Sequence, residues 1–177
     1  MNDEMFMQIK KEYDDFYRKL LRMGKLPMWS TAKGFWNASI SNEVYETFKR
    51  IGLHRFSRFL DIGSGDGKVV LLAALFCRQA EGIEADPFLH NKALQTKLKF
   101  GFTNVILHNK DFFGHNFSPY DVLFLAPDAP LERGLEVKLL DEMKGKLILY
   151  GPNFHPKVLN RESSFMVNGN LISVYSK

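Results

Sequence analysis

The residue types that can do chemistry concentrate in one nonapeptide of this 177-residue chain, Phe59-Leu-Asp-Ile-Gly-Ser-Gly-Asp-Gly67. Gly63, Gly65 and Gly67 alternate with Ser64 and Asp66, a pattern that permits a tight turn and lets a ligand approach the backbone closely. Asp61 lies two residues before the first glycine. A carboxylate there would oppose a pyrophosphate, but it suits a ligand's ammonium group and a nearby sulfonium. The dinucleotide fingerprint also needs glycine or alanine where this chain has Lys68. The plain alternative is a structural strand–turn–helix with Asp61 as a helix cap.

Other candidates are more scattered. Trp29, Phe35 and Trp36 crowd the stretch KLPMWSTAKGFWNAS, residues 25–39, which has neither helical nor strand periodicity. These rings either dock against the domain or form a lid at the mouth of the ligand site, with Gly34-Phe35 as a hinge. Asp128, between two prolines in Ala126-Pro-Asp-Ala-Pro130, is either a loop acid or a substrate-facing group. His155, in Gly151-Pro-Asn-Phe-His-Pro156, is a candidate for the substrate side. The five histidines match no zinc spacing and there is no CxxC, so no metal is expected.

These groups need a scaffold, and the hydrophobic pattern supplies one. Phe6, Ile9, Tyr13, Phe16 and Leu20 predict an amphipathic helix over 4–23, and a second helix is expected from Ser41 as N-cap to Gly52. Short apolar runs at 58–62, 80–84, 104–108, 121–126 and 146–150 read as strands. Helices are expected at 68–77, 87–100 and 131–143, with Asp86 as N-cap and Pro87 at the first helical position. Segments 164–167 and 171–175 flank Asn168-Gly169, a strong hairpin signal. Strand–helix alternation predicts an α/β, Rossmann-like fold: a mostly parallel seven-stranded sheet, helices on both faces and a C-terminal antiparallel hairpin. The connections 109–120 and 151–163 are short enough to be loops rather than helices.

Composition agrees with one globular unit. At 20.4 kDa, the folded surface should be roughly 8,800 Å². Hydrophobic residues make up 45% and charged residues 25%, which excludes disordered and fibrous classes. No apolar run approaches a membrane span and the first residues carry acids, so no membrane partner is expected. With Cys77 as the single cysteine, this reads as a cytoplasmic protein. The net charge of +4 neither demands nor excludes RNA.

DIGSGDGKVV resembles the first motif of class I S-adenosylmethionine-dependent methyltransferases, over about residues 35–177. Asp66 between the last two glycines brings it closest to the non-SET protein-lysine methyltransferases, the archaeal and mitochondrial group. Gly34-Phe-Trp-Asn-Ala, Lys110-Asp-Phe-Phe and the closing hairpin are similar to segments of that group. The resemblance implies S-adenosyl-L-methionine as cofactor. It implies that Gly63, Ser64, Gly65 and Gly67 cradle the methionine half while Asp61 orients its amino group. It further implies Glu84 on the ribose hydroxyls, Asp111 on the adenine amino group and Phe112 near the ring. Asp128, Trp36 and His155 become the acceptor-side, catalytic candidates. Residues 1–40 are then an N-terminal helix with an aromatic substrate-side segment, and 41–177 the cofactor-binding domain, in one structural unit. The Asn-Pro-Pro-Tyr motif of amide and many base N-methyltransferases is missing. Protein lysine is the expected acceptor. An RNA or small-molecule methyltransferase, a non-catalytic S-adenosylmethionine-binding module, and a nicotinamide oxidoreductase are the rivals.

Overall fold

Phe59 and Asp61 point to one side of the Arg58–Ile62 strand while Leu60 and Ile62 point to the other, and all four are buried. A strand buried on both faces belongs in the middle of a layered α/β sheet. The computed structural model, which describes residues 2–131 and 134–177, places it there. In chain order the elements begin with α1 (Asn2–Arg22), β1 (Met28–Ser30), β2 (Phe35–Asn37) and α2 (Ser41–Arg50). The sheet core follows: β3 (Arg58–Ile62), α3 (Lys68–Ala73), β4 (Gln79–Glu84), α4 (Pro87–Phe100), β5 (Val105–Asn109) and β6 (Val122–Leu125). The chain closes with α5 (Leu135–Glu142), β7 (Lys146–Tyr150), β8 (Asn160–Val167) and β9 (Asn170–Ser176).

The main sheet has seven strands in the order β5-β4-β3-β6-β7-β9-β8. All pairings are parallel up to β7, and β9 then runs antiparallel to both β7 and β8. This is the Rossmann-like arrangement expected from the strand–helix alternation. Strand order reverses between β3 and β6, the place where open α/β sheets bind ligands beyond their carboxyl ends. Asn168 and Gly169, both at positive φ (49° and 88°), make the tight β8–β9 turn.

The two faces have separate cores. Phe6, Ile9 and Tyr13 of α1, Val44 and Phe48 of α2, and the whole of α3 cover one side of β3 and β4. Leu135 and Leu139 of α5, with Phe117, Tyr120 and Tyr175, cover the other. The accessible surface, 8905 Å², is close to that of a compact monomer of this mass. Among the described residues, no helix is long and apolar enough to cross a membrane.

Several local expectations are corrected. Residues 25–39 contain a two-stranded hairpin, β1 paired with β2, which three-residue strands are too short to announce by periodicity. The cap of α2 is Ile40 rather than Ser41, which is buried as the first helical residue. Helix α3 stops at Ala73 instead of Cys77. Leu75 and Phe76 then bond back only three residues, to Leu72 and Ala73, tightening the chain into the turn before β4. The helix expected over 131–143 is seen as 135–142, and residues 132 and 133 lie outside the described part.

Candidate functional site

The glycine turn leaves β3 at the switch point and enters α3. Gly63, Gly65 and Gly67 all have positive φ (74°, 53° and 80°). At two of them a side chain is excluded for a second reason. A Cβ on Gly65 would lie 2.5 Å from the Trp36 indole, and one on Gly67 would collide with Ala93 of α4. Beside Gly63 there is open space. Ser64 faces inward: its N–H donates to the Ile83 carbonyl at 2.8 Å, and its hydroxyl sits where a side chain on Gly82 would be. It shapes the turn from beneath.

Three carboxyls meet under this turn. Asp61 is 3% exposed, and among the described residues no hydrogen-bond donor reaches its side chain. Burial, then the neighbouring Glu84 and Asp66, push its carboxyl well above the ordinary range. Glu84 accepts from the Gly65 N–H at 2.8 Å and the Asp86 N–H at 2.7 Å. Burial raises its carboxyl too, with those backbone bonds acting in opposition. Asp66 accepts from the Tyr17 hydroxyl at 2.5 Å, and its carbonyl accepts from Tyr13 at 2.8 Å. The first helix is thus bolted to the turn.

The β1–β2 hairpin crosses the same edge. Trp36 is buried against Gly65, its ring 4.3 Å from Trp29 and 6.4 Å from Tyr17. Its neighbour Phe35 is 47% exposed, and the Phe35 N–H donates to the Asp128 carboxylate in the loop after β6. At the hairpin tip, Lys33 pairs with Asp111 at 3.1 Å. The hairpin therefore touches the loops after β3, β5 and β6 at once, as a cover over the switch point.

Asp111 also caps the short turn Phe112–Gly114, accepting from the Phe113 N–H at 3.0 Å. That bond first, and Lys33, hold its carboxyl below the ordinary range. Phe112 is half-buried at the same turn. Trp36, Asp128 and Asp111 are thus joined through the hairpin, and Asp61, Glu84 and the glycines through the turn. His155 stands apart: its Nδ1 lies 2.6 Å from the Tyr175 hydroxyl and its Nε2 3.0 Å from the Pro152 carbonyl. No hydrogen bond or ring contact joins it to Asp128 or Trp36.

Two features escaped the reading of the sequence. Lys68 is 1% exposed, with its ammonium bonded to the Ser39 carbonyl and 4.7 Å from the Tyr17 ring centre. Burial lowers its pKa, opposed by Asp66. Nothing but the replacement of a fingerprint glycine by lysine hinted at this. The second feature is a polar cluster on the other face. Glu81 accepts from Arg58 at 2.9 Å, Gln79 at 2.5 Å, Tyr120 at 2.8 Å, and lies 2.8 Å from His108 Nε2. Burial opposes its ionisation, but the bonds from His108, Arg58, Tyr120 and Gln79 prevail and hold the carboxyl low. His108 and His115 come together only through folding.

No protein-family profile and no curated protein matches the chain. Solved structures match its fold. An RNA methyltransferase from Salinibacter ruber in complex with S-adenosyl-L-homocysteine superposes with a TM-score of 0.67, at 20% identity, over 78% of this chain and 92% of its own. The Pyrococcus abyssi tRNA (uracil-54, C5)-methyltransferase, in complex with the same molecule, gives 0.66 at 13% identity, over 80% of this chain and 40% of its own. The chain has the Rossmann-like fold of these class I methyltransferases.

Proposed function

We propose that the protein is an S-adenosylmethionine-dependent methyltransferase whose cofactor lies on the glycine turn. The carrying observation is Asp61, a buried carboxyl with no donor among the described residues, beside two other carboxyls. A buried ionised group is costly unless paired, and the ammonium of an amino-acid moiety would supply both charge and donors. The surroundings fit the rest of that group. The open space beside Gly63 admits it. Glu84, at the end of β4, would accept from the ribose hydroxyls. Asp111, once released by Lys33, would accept from the adenine amino group, with Phe112 at the ring. When bound, the cofactor supplies a methyl group already activated by its sulfonium.

The remaining work is positioning and exclusion of water, and the chain's own residues supply it. Asp61 and Glu84 fix the orientation of the bound molecule. Trp36 seals the turn, and Asp128 holds the hairpin in place through the Phe35 N–H as a positioning residue. Under such a cover an acceptor amine is desolvated, which lowers its pKa and favours the neutral, nucleophilic form.

For the acceptor, our reading is a protein lysine side chain. Exposed Phe35, held at the Asp128 loop through its N–H, offers an aromatic face to an alkyl ammonium, and the first-motif resemblance points the same way. RNA is the second reading, favoured by the RNA methyltransferases among the structural neighbours. The test is methyl transfer from labelled cofactor into a cell lysate, with protein and RNA counted separately. Label on lysine after hydrolysis supports the first reading, and label confined to nucleosides replaces it with the second. Calorimetry showing no binding of S-adenosylhomocysteine would overturn both.

A further inference from the structure

On the face of the sheet opposite Asp61, three metal-ligating side chains converge that no part of the methyl-transfer reading uses. Glu81 lies in β4, His108 in β5, and His115 just after the short turn Phe112–Gly114. One donor atom from each lies within 4.8 Å of the others. The imidazole centres are 4.9 Å apart. Glu81 is buried, and both histidines are half-exposed, so the group opens to solvent on the histidine side.

We propose that Glu81, His108 and His115 form a binding site for a divalent transition-metal ion of the zinc class. Two imidazole nitrogens and one carboxylate oxygen are the donor set such an ion prefers, with a fourth position left to water. Bonds of about 2.0–2.1 Å in tetrahedral geometry put donors roughly 3.3 Å apart. Glu81 and His108, now at 2.8 Å, would spread slightly. His115 would turn from the Tyr120 hydroxyl, which it meets at 2.7 Å, by about 1–1.5 Å.

The supporting shell is already in place. Arg58 and Gln79 hold the Glu81 oxygen that the ion would leave free, and Tyr120 steadies the other. Two of the three ligands sit on neighbouring strands, so their separation is set by the sheet. Each histidine presents Nε2 to the cluster, and its ring proton would move to the half-exposed Nδ1.

The proposal is independent of the methyl-transfer reading and is tested without it. The full chain, stripped with chelator, is titrated with Zn(II) against a chromophoric chelator, and separately with Co(II), whose visible spectrum reports coordination number and nitrogen ligation. The expected result is saturable uptake of one equivalent, a four- or five-coordinate cobalt spectrum and a rise in Tm with Zn(II). His108→Gln with His115→Gln should abolish all three. His115→Gln alone, at a half-exposed position that threatens the fold least, should weaken binding more than about tenfold. No saturable uptake, or equal affinity in wild type and His115→Gln, would sink the proposal.

Discussion

Asp61 and Glu81 lie on neighbouring strands, both at 3% exposure, and face opposite sides of one sheet. Glu81 is met by four protein groups, and its carboxyl is held low. Among the described residues Asp61 is met by no donor, has two carboxyls for company, and its carboxyl is pushed high. A fold that supplies donors to one buried acid and withholds them from its neighbour is stable at the first and chemically incomplete at the second. The incomplete acid sits at the carboxyl end of β3, at the switch point, where ligands enter. The completed one belongs to the scaffold, with two histidines left facing it.

The largest test of this contrast is Glu81→Ala. It leaves buried Tyr120 without its acceptor, beside the partly exposed Arg58 and His108, and a buried polar group left unpaired costs about 1–3 kcal/mol. Urea unfolding should show that loss. A change below about 1 kcal/mol would mean that the network is replaced by water.

Asp61→Asn should do the reverse to stability. In the folded protein Asp61 holds its proton more tightly than in the unfolded chain. Its contribution is therefore most favourable below the unfolded carboxylate value and is lost as pH rises through the raised folded value. The neutral amide removes that loss, so the ligand-free variant should melt higher than wild type at neutral pH and lack the decline with rising pH. The same change should weaken S-adenosylhomocysteine by about 10–100-fold, the equivalent of about 1.5–3 kcal/mol for a bond to a charged group. A variant that melts lower and binds as before would dissolve the contrast.

Trp36→Ala addresses the cover over the incomplete site. Turnover should fall about tenfold or more through lost positioning, with a smaller change in cofactor affinity. Equal losses in the two would assign Trp36 to cofactor binding instead. The smallest effect is expected of Lys33→Ala. Its pair with Asp111 is exposed, so Tm should stay nearly constant. Asp111 would be free for the cofactor, and affinity should rise by no more than about fivefold. A marked loss of affinity would show that Lys33 holds ligand rather than gates it.

The main sheet was legible because its signals are local. Gly63–Gly67 needs glycine for its backbone, Asp86-Pro87 announces the start of α4, and Asn168-Gly169 the last turn. The pairing of Lys33 with Asp111, of Phe35 with Asp128, and of Tyr17 with Asp66 was not legible. Each joins residues about fifty to a hundred positions apart. The β1–β2 strands were invisible for another reason: three residues carry no usable alternation.

By itself the sequence determined the α/β class, the glycine turn and the identity of its first acid, because turn chemistry and hydrophobic period act over a few residues. Only the tertiary structure decided which acids are left without donors, what covers the turn, and that His108 and His115 face Glu81 together. Those properties depend on which strands become neighbours, and strand order is set by the packing of whole layers rather than by any segment of chain.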